Sequence, residues 1–326
     1  MLQGWFAAGA DARWIRPGLT TNQPIWGLRG GLLFAIPPGG FRGSGPRGLI
    51  RLGYPVLTNA GYDLINFIAV EPVVKGRKGF SELEFSRLDG VQGKRIWAEG
   101  LASSGNARTN HVAGTLSTLA SGVEQLEVTL RVERFDNGAH VRLVISQQSG
   151  APDEIQLAIY AEPDSAPMDY CILTATMGNK ARTRLLWLRG ETVSSPKLFG
   201  SYHETASAAH SLYPLDRLHR TAMGDVLVAV TTDEENPAAT FPFPGTQRWY
   251  YGGAKVTQFW KKPSGTFQID LLAAVNARYT YWKSSQPIPG GVAFENFELR
   301  ERFYEGQRFI FGITSKTPGE LGMSAK

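Results

Sequence analysis

Apolar and polar residues alternate with a period of two along much of the chain. Between positions 126 and 132, Leu126, Val128, Leu130 and Val132 point one way, while Gln125, Glu127, Thr129, Arg131 and Glu133 point the other. That is the pattern of a half-buried strand. Asp136-Asn137-Gly138 follows, and because Asn and Gly tolerate positive φ a hairpin is predicted there. The returning segment places Val141, Leu143 and Ile145 on its apolar face, and a third strand is predicted over 155–160. These three strands form a meander.

Further strands are predicted over 32–36, 49–57, 64–74, 80–85, 170–176, 182–188, 226–232, 256–260, 279–282, 292–299 and 308–314. Turn-rich segments punctuate them, as an antiparallel sandwich requires. Helical periodicity is confined to short stretches over 203–212 and 270–276. Segments 37–48, 100–122 and 233–245 read as loops, and none has the length or monotony of a flexible linker. The fold expected is all-β, a large antiparallel two-sheet β-sandwich of the jelly-roll type with few short helices. It is read as one domain over 1–326, with a division near 190–220 as the alternative.

Composition narrows the class of function. The 326 residues are 42% hydrophobic and 19% charged, the balance of a globular protein. No apolar stretch approaches the roughly 20 residues that span a bilayer as a helix, so no membrane partner is expected. The first 14 residues lack the basic start and apolar core of a signal peptide. A cytoplasmic location is expected on that ground, or a secreted or periplasmic one if a leader has been removed. Cys171 is the single cysteine, which rules out an intramolecular disulfide and a cysteine-based metal site. It sits in an apolar run and reads as a small buried hydrophobe. The net charge of +5 comes from scattered basic residues without a Lys/Arg tract. An anionic polysaccharide is compatible with that charge; nucleic acid is not expected as a partner.

Candidate chemistry rests on carboxylates. Glu82 and Glu84 lie two apart in Phe80-Ser-Glu-Leu-Glu-Phe85. On a strand they would share a face with Cβ atoms about 7 Å apart, Leu83 and Phe85 entering the core behind them. Such a pair in a cleft can divide the roles of acid and nucleophile, or of acid and base; a solvent-facing strand edge carries the same pattern. Glu71 lies in a segment apolar on both alternating faces, so its carboxylate must either pair with a cation or be desolvated. Desolvation would raise its pKa and suit a general acid. A buried salt bridge with a nearby arginine is the alternative, and Pro72 is a candidate strand end. Glu295 and Glu298 are three apart and face opposite ways on a strand, so they cannot form one pair.

His219, with Asp216, Arg217 and Arg220 close by in sequence, could serve as a base with an arginine on a uronate carboxylate; a polar turn is the alternative. The histidines show neither HxH nor HExxH spacing, and no metal or other cofactor is expected. The glycine-rich stretch 37–48 lacks a phosphate-cradling lysine and leads into a strand, which leaves Arg42 and Arg47 as candidates at the mouth of a cleft; a tight surface loop is the alternative. Aromatic rings concentrate in the last third, where Trp249, Trp260, Tyr279 and Tyr281 are candidate sugar platforms. All-β cores also use such rings.

The run Gly290-Gly-Val-Ala-Phe-Glu-Asn-Phe-Glu-Leu299 resembles the closing strand of concanavalin-like jelly rolls in bacterial carbohydrate-active proteins. That resemblance covers about ten residues and implies an oligo- or polysaccharide partner. The laminarinase-like Glu-x-Asp-x-x-Glu pattern is absent: Glu82-Leu-Glu-Phe-Ser-Arg87 departs from it at the third and sixth positions. The function expected is a glycoside hydrolase with paired carboxylates in a groove on the concave sheet. A polysaccharide lyase and a non-catalytic carbohydrate-binding sandwich are the alternatives.

Overall fold

A computed structural model describes residues 13–18, 21, 23–37, 40–41, 46–55, 61–99, 114–177, 182–233, 255–280, 285–288 and 290–323. Among the described residues the strands form two large antiparallel sheets, of 10 and 11 strands. Helix is confined there to one turn, Ser195–Phe199, and a 3-10 turn, Leu215–Arg217. The fold is an all-β, two-sheet sandwich. The chain divides into two compact units, Met1–Leu173 with Arg302–Phe311 and Thr174–Glu301 with Gly312–Lys326. The stretch 190–220 lies inside the second.

In the first unit, strands Trp14–Ile15, Ile25–Leu28, Leu33–Ala35, Leu49–Tyr54 and Asp63–Val74 lie side by side in that order. The meander supplies the other sheet. Glu124–Val132, Val141–Gln148 and Glu154–Ala161 pair so that Leu143 stands opposite both Leu130 and Ile159. Leu126, Val128, Leu130, Val132, Val141, Leu143 and Ile145 are all buried, as the alternation requires. Gly138 takes the left-handed φ of 91° in the turn between the first two strands. The Asn137 side chain there donates to the Pro72 and Arg77 carbonyls, both at 2.9 Å.

In the second unit, Ala293–Arg300 pairs with Leu272–Arg278, and Leu272–Arg278 with Ser211–Pro214. Its other sheet runs Glu191–Ser194, Leu185–Leu188, Val226–Thr231, Thr257–Lys262. The two expected helices are therefore corrected. Segment 270–276 is strand from Leu272 on, because its short apolar run finds a hydrogen-bonding partner on each side, which outweighs local helical spacing. Segment 203–212 is irregular up to the start of Ser211–Pro214.

Lys262 and Glu301 form a fully buried ion pair in this unit, and the Gln268 N–H donates to the second carboxylate oxygen at 2.9 Å. A buried pair repays its desolvation only while both partners remain. Lys262→Met should cost about 3–5 kcal/mol in urea unfolding, and the double variant Lys262→Met/Glu301→Leu should recover most of that loss.

Candidate functional site

The site grows from the end of strand Asp63–Val74. Lys75 and Gly76 both take positive φ, 49° and 72°, which makes a tight two-residue hairpin turn of the kind that matches strand twist. The return strand Arg77–Lys78 pairs with Val73–Val74. Backbone bonds from Gly79 N–H to the Pro72 carbonyl (2.8 Å) and from Ser81 N–H to the Val70 carbonyl (3.1 Å) carry the pairing further. The strand thus runs through Pro72 instead of ending there. Lys78 is brought to the buried Glu71 carboxylate and forms an ion pair with it. Its Nζ also lies 5.1 Å from the centroid of the Phe80 ring, a cation–π distance.

Segment 80–85, expected as a strand, is a turn. Leu83 and Glu84 N–H groups both donate to the Phe80 carbonyl, at 3.3 and 3.1 Å. The Glu84 carboxylate closes the turn by accepting from the N–H groups of Phe80 (3.1 Å) and Asp136 (2.8 Å), and it pairs with the buried Lys94 at 3.2 Å. Side-chain to backbone bonding of this kind competes with a strand ladder and here replaces it. Leu83 and Phe85, expected in the core, are 43% and 62% exposed. The turn also separates Glu82 from Glu84, so the two do not form the pair read from a strand.

Ser81 fixes where Glu82 goes. Its hydroxyl donates to the Gly48 carbonyl at 2.6 Å and accepts from Val70 N–H at 2.9 Å. Gly48 has φ of 73°, and a Cβ there would lie 1.8 Å from the Ser81 carbonyl oxygen. Only glycine allows that approach.

Glu82 is half-buried, and its Oε2 is closed off from solvent with no hydrogen-bond partner. Desolvation, and after it the negative charge of Glu71, push the Glu82 carboxyl up to about 7; its own backbone N–H, Lys78 and Ser81 act in the other direction. Burial and then Glu71 also raise the Cys171 thiol, which keeps it an unreactive hydrophobe. The structure therefore joins Glu82 to Glu71. One acid is salt-bridged, and the other keeps its proton close to neutrality, an arrangement suited to proton donation.

Apart from Arg47, which pairs with Asp89, the remaining candidates lie in the second unit or outside the described residues. His219 lies on strand His219–Arg220, opposite Leu227, and burial with the charge of Arg189 lowers its pKa. Arg217 pairs with Glu191 and lies 5.7 Å from the Tyr213 ring, while Arg220 stacks 4.4 Å from Phe267. Both guanidinium groups are thus engaged within the protein. Trp260 is buried, its indole N–H bonded to the Phe297 carbonyl at 2.8 Å, which makes it core and not a platform. Tyr279 meets His203 edge-on at 4.8 Å. Glu295 and Glu298 have separate partners, Arg278 and Arg300. Arg42, Trp249 and Tyr281 lie outside the described residues. Among the described residues no cluster of three or more His, Cys, Asp or Glu could hold a metal ion.

Lys78, Ser81, Lys94 and Gly48 were not singled out from sequence. For Lys78 there was a usable signal: Gly76 directly after the apolar run that ends at Val74 allows a tight reversal, which carries Lys78 back toward Glu71.

Comparison of the chain with protein-family models and with curated proteins returns no match.

The raised Glu82 pKa has a consequence for stability. Between about 4.5 and 7 the folded chain holds a proton at Glu82 that the unfolded chain has released, so stability falls as pH rises through this window. Glu82→Gln abolishes that dependence. Its urea midpoint relative to wild type should therefore rise from pH 5 to pH 8, by a free energy on the order of 2 kcal/mol.

Proposed function

We propose that the protein is a glycoside hydrolase in which Glu82 protonates the leaving-group oxygen. One observation carries this reading: a half-buried carboxyl with a pKa near 7 stands beside a second, salt-bridged carboxylate. A glycosidic oxygen is a poor leaving group until it is protonated, and the donor must still hold its proton at working pH. Desolvation and a neighbouring negative charge are the ordinary means of raising a carboxyl into that range. In this reading Glu71 supplies the second carboxylate. Its charge helps keep the proton on Glu82 and offsets, through its field, the positive charge that develops on the sugar carbon, while a water molecule forms the new bond to that carbon as the glycosidic C–O bond breaks and gives up its proton to solvent. Lys78 stands as the counter-ion of Glu71 while Glu82 loses and regains its proton.

Glycan as substrate class is supported by the all-β sandwich and by the likeness of the closing strand to concanavalin-like proteins, which is a fold-level analogy. The lyase reading has less support, since the guanidinium groups of Arg217 and Arg220 are already engaged.

A glycan panel read for new reducing ends should show turnover by the wild type, falling as pH rises through about 7, where Glu82 loses its proton. Glu82→Gln should lower kcat by about 100- to 10,000-fold with KM nearly unchanged. Glu84→Gln should instead lose stability, because Glu84 ties the turn to Lys94 and Asp136. Unsaturated products would point to a lyase, and saturable binding without turnover to a carbohydrate-binding protein; either result overturns the proposal.

A further inference from the structure

The turn that carries Glu82 runs directly into a loop with an unusual surface. Leu83, Phe85, Leu88 and Val91 are 43%, 62%, 57% and 52% exposed. Four large apolar side chains thus face solvent within nine residues, a concentration that marks a binding surface more often than an accident of folding. Partial unfolding does not explain it, because the backbone is closed by bonds from Ser86 N–H to the Val91 carbonyl (2.9 Å), Gly90 N–H to the Ser86 carbonyl (2.9 Å) and Gly93 N–H to the Glu84 carbonyl (2.8 Å). Beneath it, Arg47 grips Asp89 through both terminal nitrogens at 2.7 and 3.0 Å and also donates to the carbonyls of Val91 and Gly93. The loop is held open with its apolar side chains outward.

Its charge is internally compensated. Arg47 and Arg95 pair with Asp89, Arg87 with Asp136, and Lys94 with Glu84 and Asp136. Each of these four cations is held by an acid of the same cluster. An anionic ligand would have to break one of these pairs, whereas an uncharged apolar group would displace only water.

We propose that the 83–91 loop is the leaving-group subsite, and that it selects uncharged glycosides carrying an apolar aglycone such as an alkyl or aryl group. The proposal rests on the reading of Glu82 as leaving-group acid. The group that receives its proton departs on the acid's side of the bond, and the surface following Glu82 in the chain is the apolar loop. An apolar substituent there would cover Phe85 and Leu88.

The test is equilibrium binding to Glu82→Gln, which keeps the surface without turnover, by calorimetry below micelle-forming concentration. Octyl and phenyl glycosides of several common sugars are compared with the matching methyl glycosides and with an octyl oligoethylene glycol that has no sugar. The octyl or phenyl glycoside should bind at least tenfold more tightly than its methyl counterpart and than the sugar-free ether. Adding Phe85→Ser and Leu88→Ser should remove that preference, with methyl glycoside binding unchanged. Equal affinity for octyl, phenyl and methyl glycosides overturns the proposal, as does a preference that survives the two serine substitutions. A sugar-free ether that binds as well as the glycoside also overturns it, showing an apolar patch without sugar recognition. Wild-type hydrolysis is measured separately. Its absence with the preference intact would sink the role of Glu82 as acid while leaving an apolar glycoside site; hydrolysis without the preference would sink only the subsite.

Discussion

A carboxylate inside a strand that is apolar on both faces sets the terms for everything around it. Glu71 is 3% exposed, and an ionised group so placed needs a cation within reach. The tight turn at Lys75–Gly76 meets that need by returning Lys78 alongside. Once the hairpin is closed, the chain beyond it has little freedom. It follows the Val70–Pro72 edge as far as Ser81, is pinned to the Gly48 carbonyl, and turns at Phe80–Glu84 under the bonds made by the Glu84 carboxylate. Glu82 is thereby delivered half-buried beside that charge. Its raised pKa follows first from its own desolvation and then from the charge of Glu71.

The other buried pair shows what makes this site unusual. Lys262 and Glu301 are both fully buried, and the second Glu301 oxygen accepts from the Gln268 N–H. That network is closed, and it can be understood as structure alone. Around Glu71 the equivalent closure is missing at one atom. Oε2 of Glu82 is buried without a hydrogen-bond partner, and an unmet acceptor of that kind costs about 1–3 kcal/mol. Protonation lowers the electrostatic part of this cost, which is the physical content of a pKa near 7.

How much of this was legible in the sequence follows from the range of the interactions. The meander was legible because period-two alternation and a turn signal at Asn137-Gly138 are both local and agree with each other. Burial of Glu71 was legible too, since it sits in a run apolar on both alternating faces, but whether its carboxylate is paired or desolvated depends on Lys78, which the turn brings back to it. Segment 80–85 misled because its alternation, Leu83 and Phe85 against Glu82 and Glu84, is genuine, while what defeats it is distant: Lys94, the Asp136 backbone and Gly48 all come from elsewhere in the chain. Segment 270–276 misled for a related reason, its strand character coming from partners at Ser211–Pro214 and Ala293–Arg300. Trp260 could not be sorted from sequence, because a ring that stacks on sugar and a ring that fills a core look identical until its indole N–H is found bonded to the Phe297 carbonyl.

The same contrast bears on why a carboxyl should remain at position 82. If the turn needed only a shape there, a residue without a buried acceptor would fold as well or better, since nothing in the described structure satisfies Oε2 and the backbone turn is closed by Glu84 and Ser81 instead. Ser81, Glu84, Lys94 and Gly48 each make or permit a contact that the fold uses. Glu82 makes no such contact in proportion to its cost, and it stands where the apolar side chains of Leu83 and Phe85 begin to face solvent. Strain of this kind, kept at one residue and supported by its neighbours, is where function departs from stability. On physical grounds a carboxyl kept half-buried, with one oxygen unmet and a second acid beside it, calls for a chemical role.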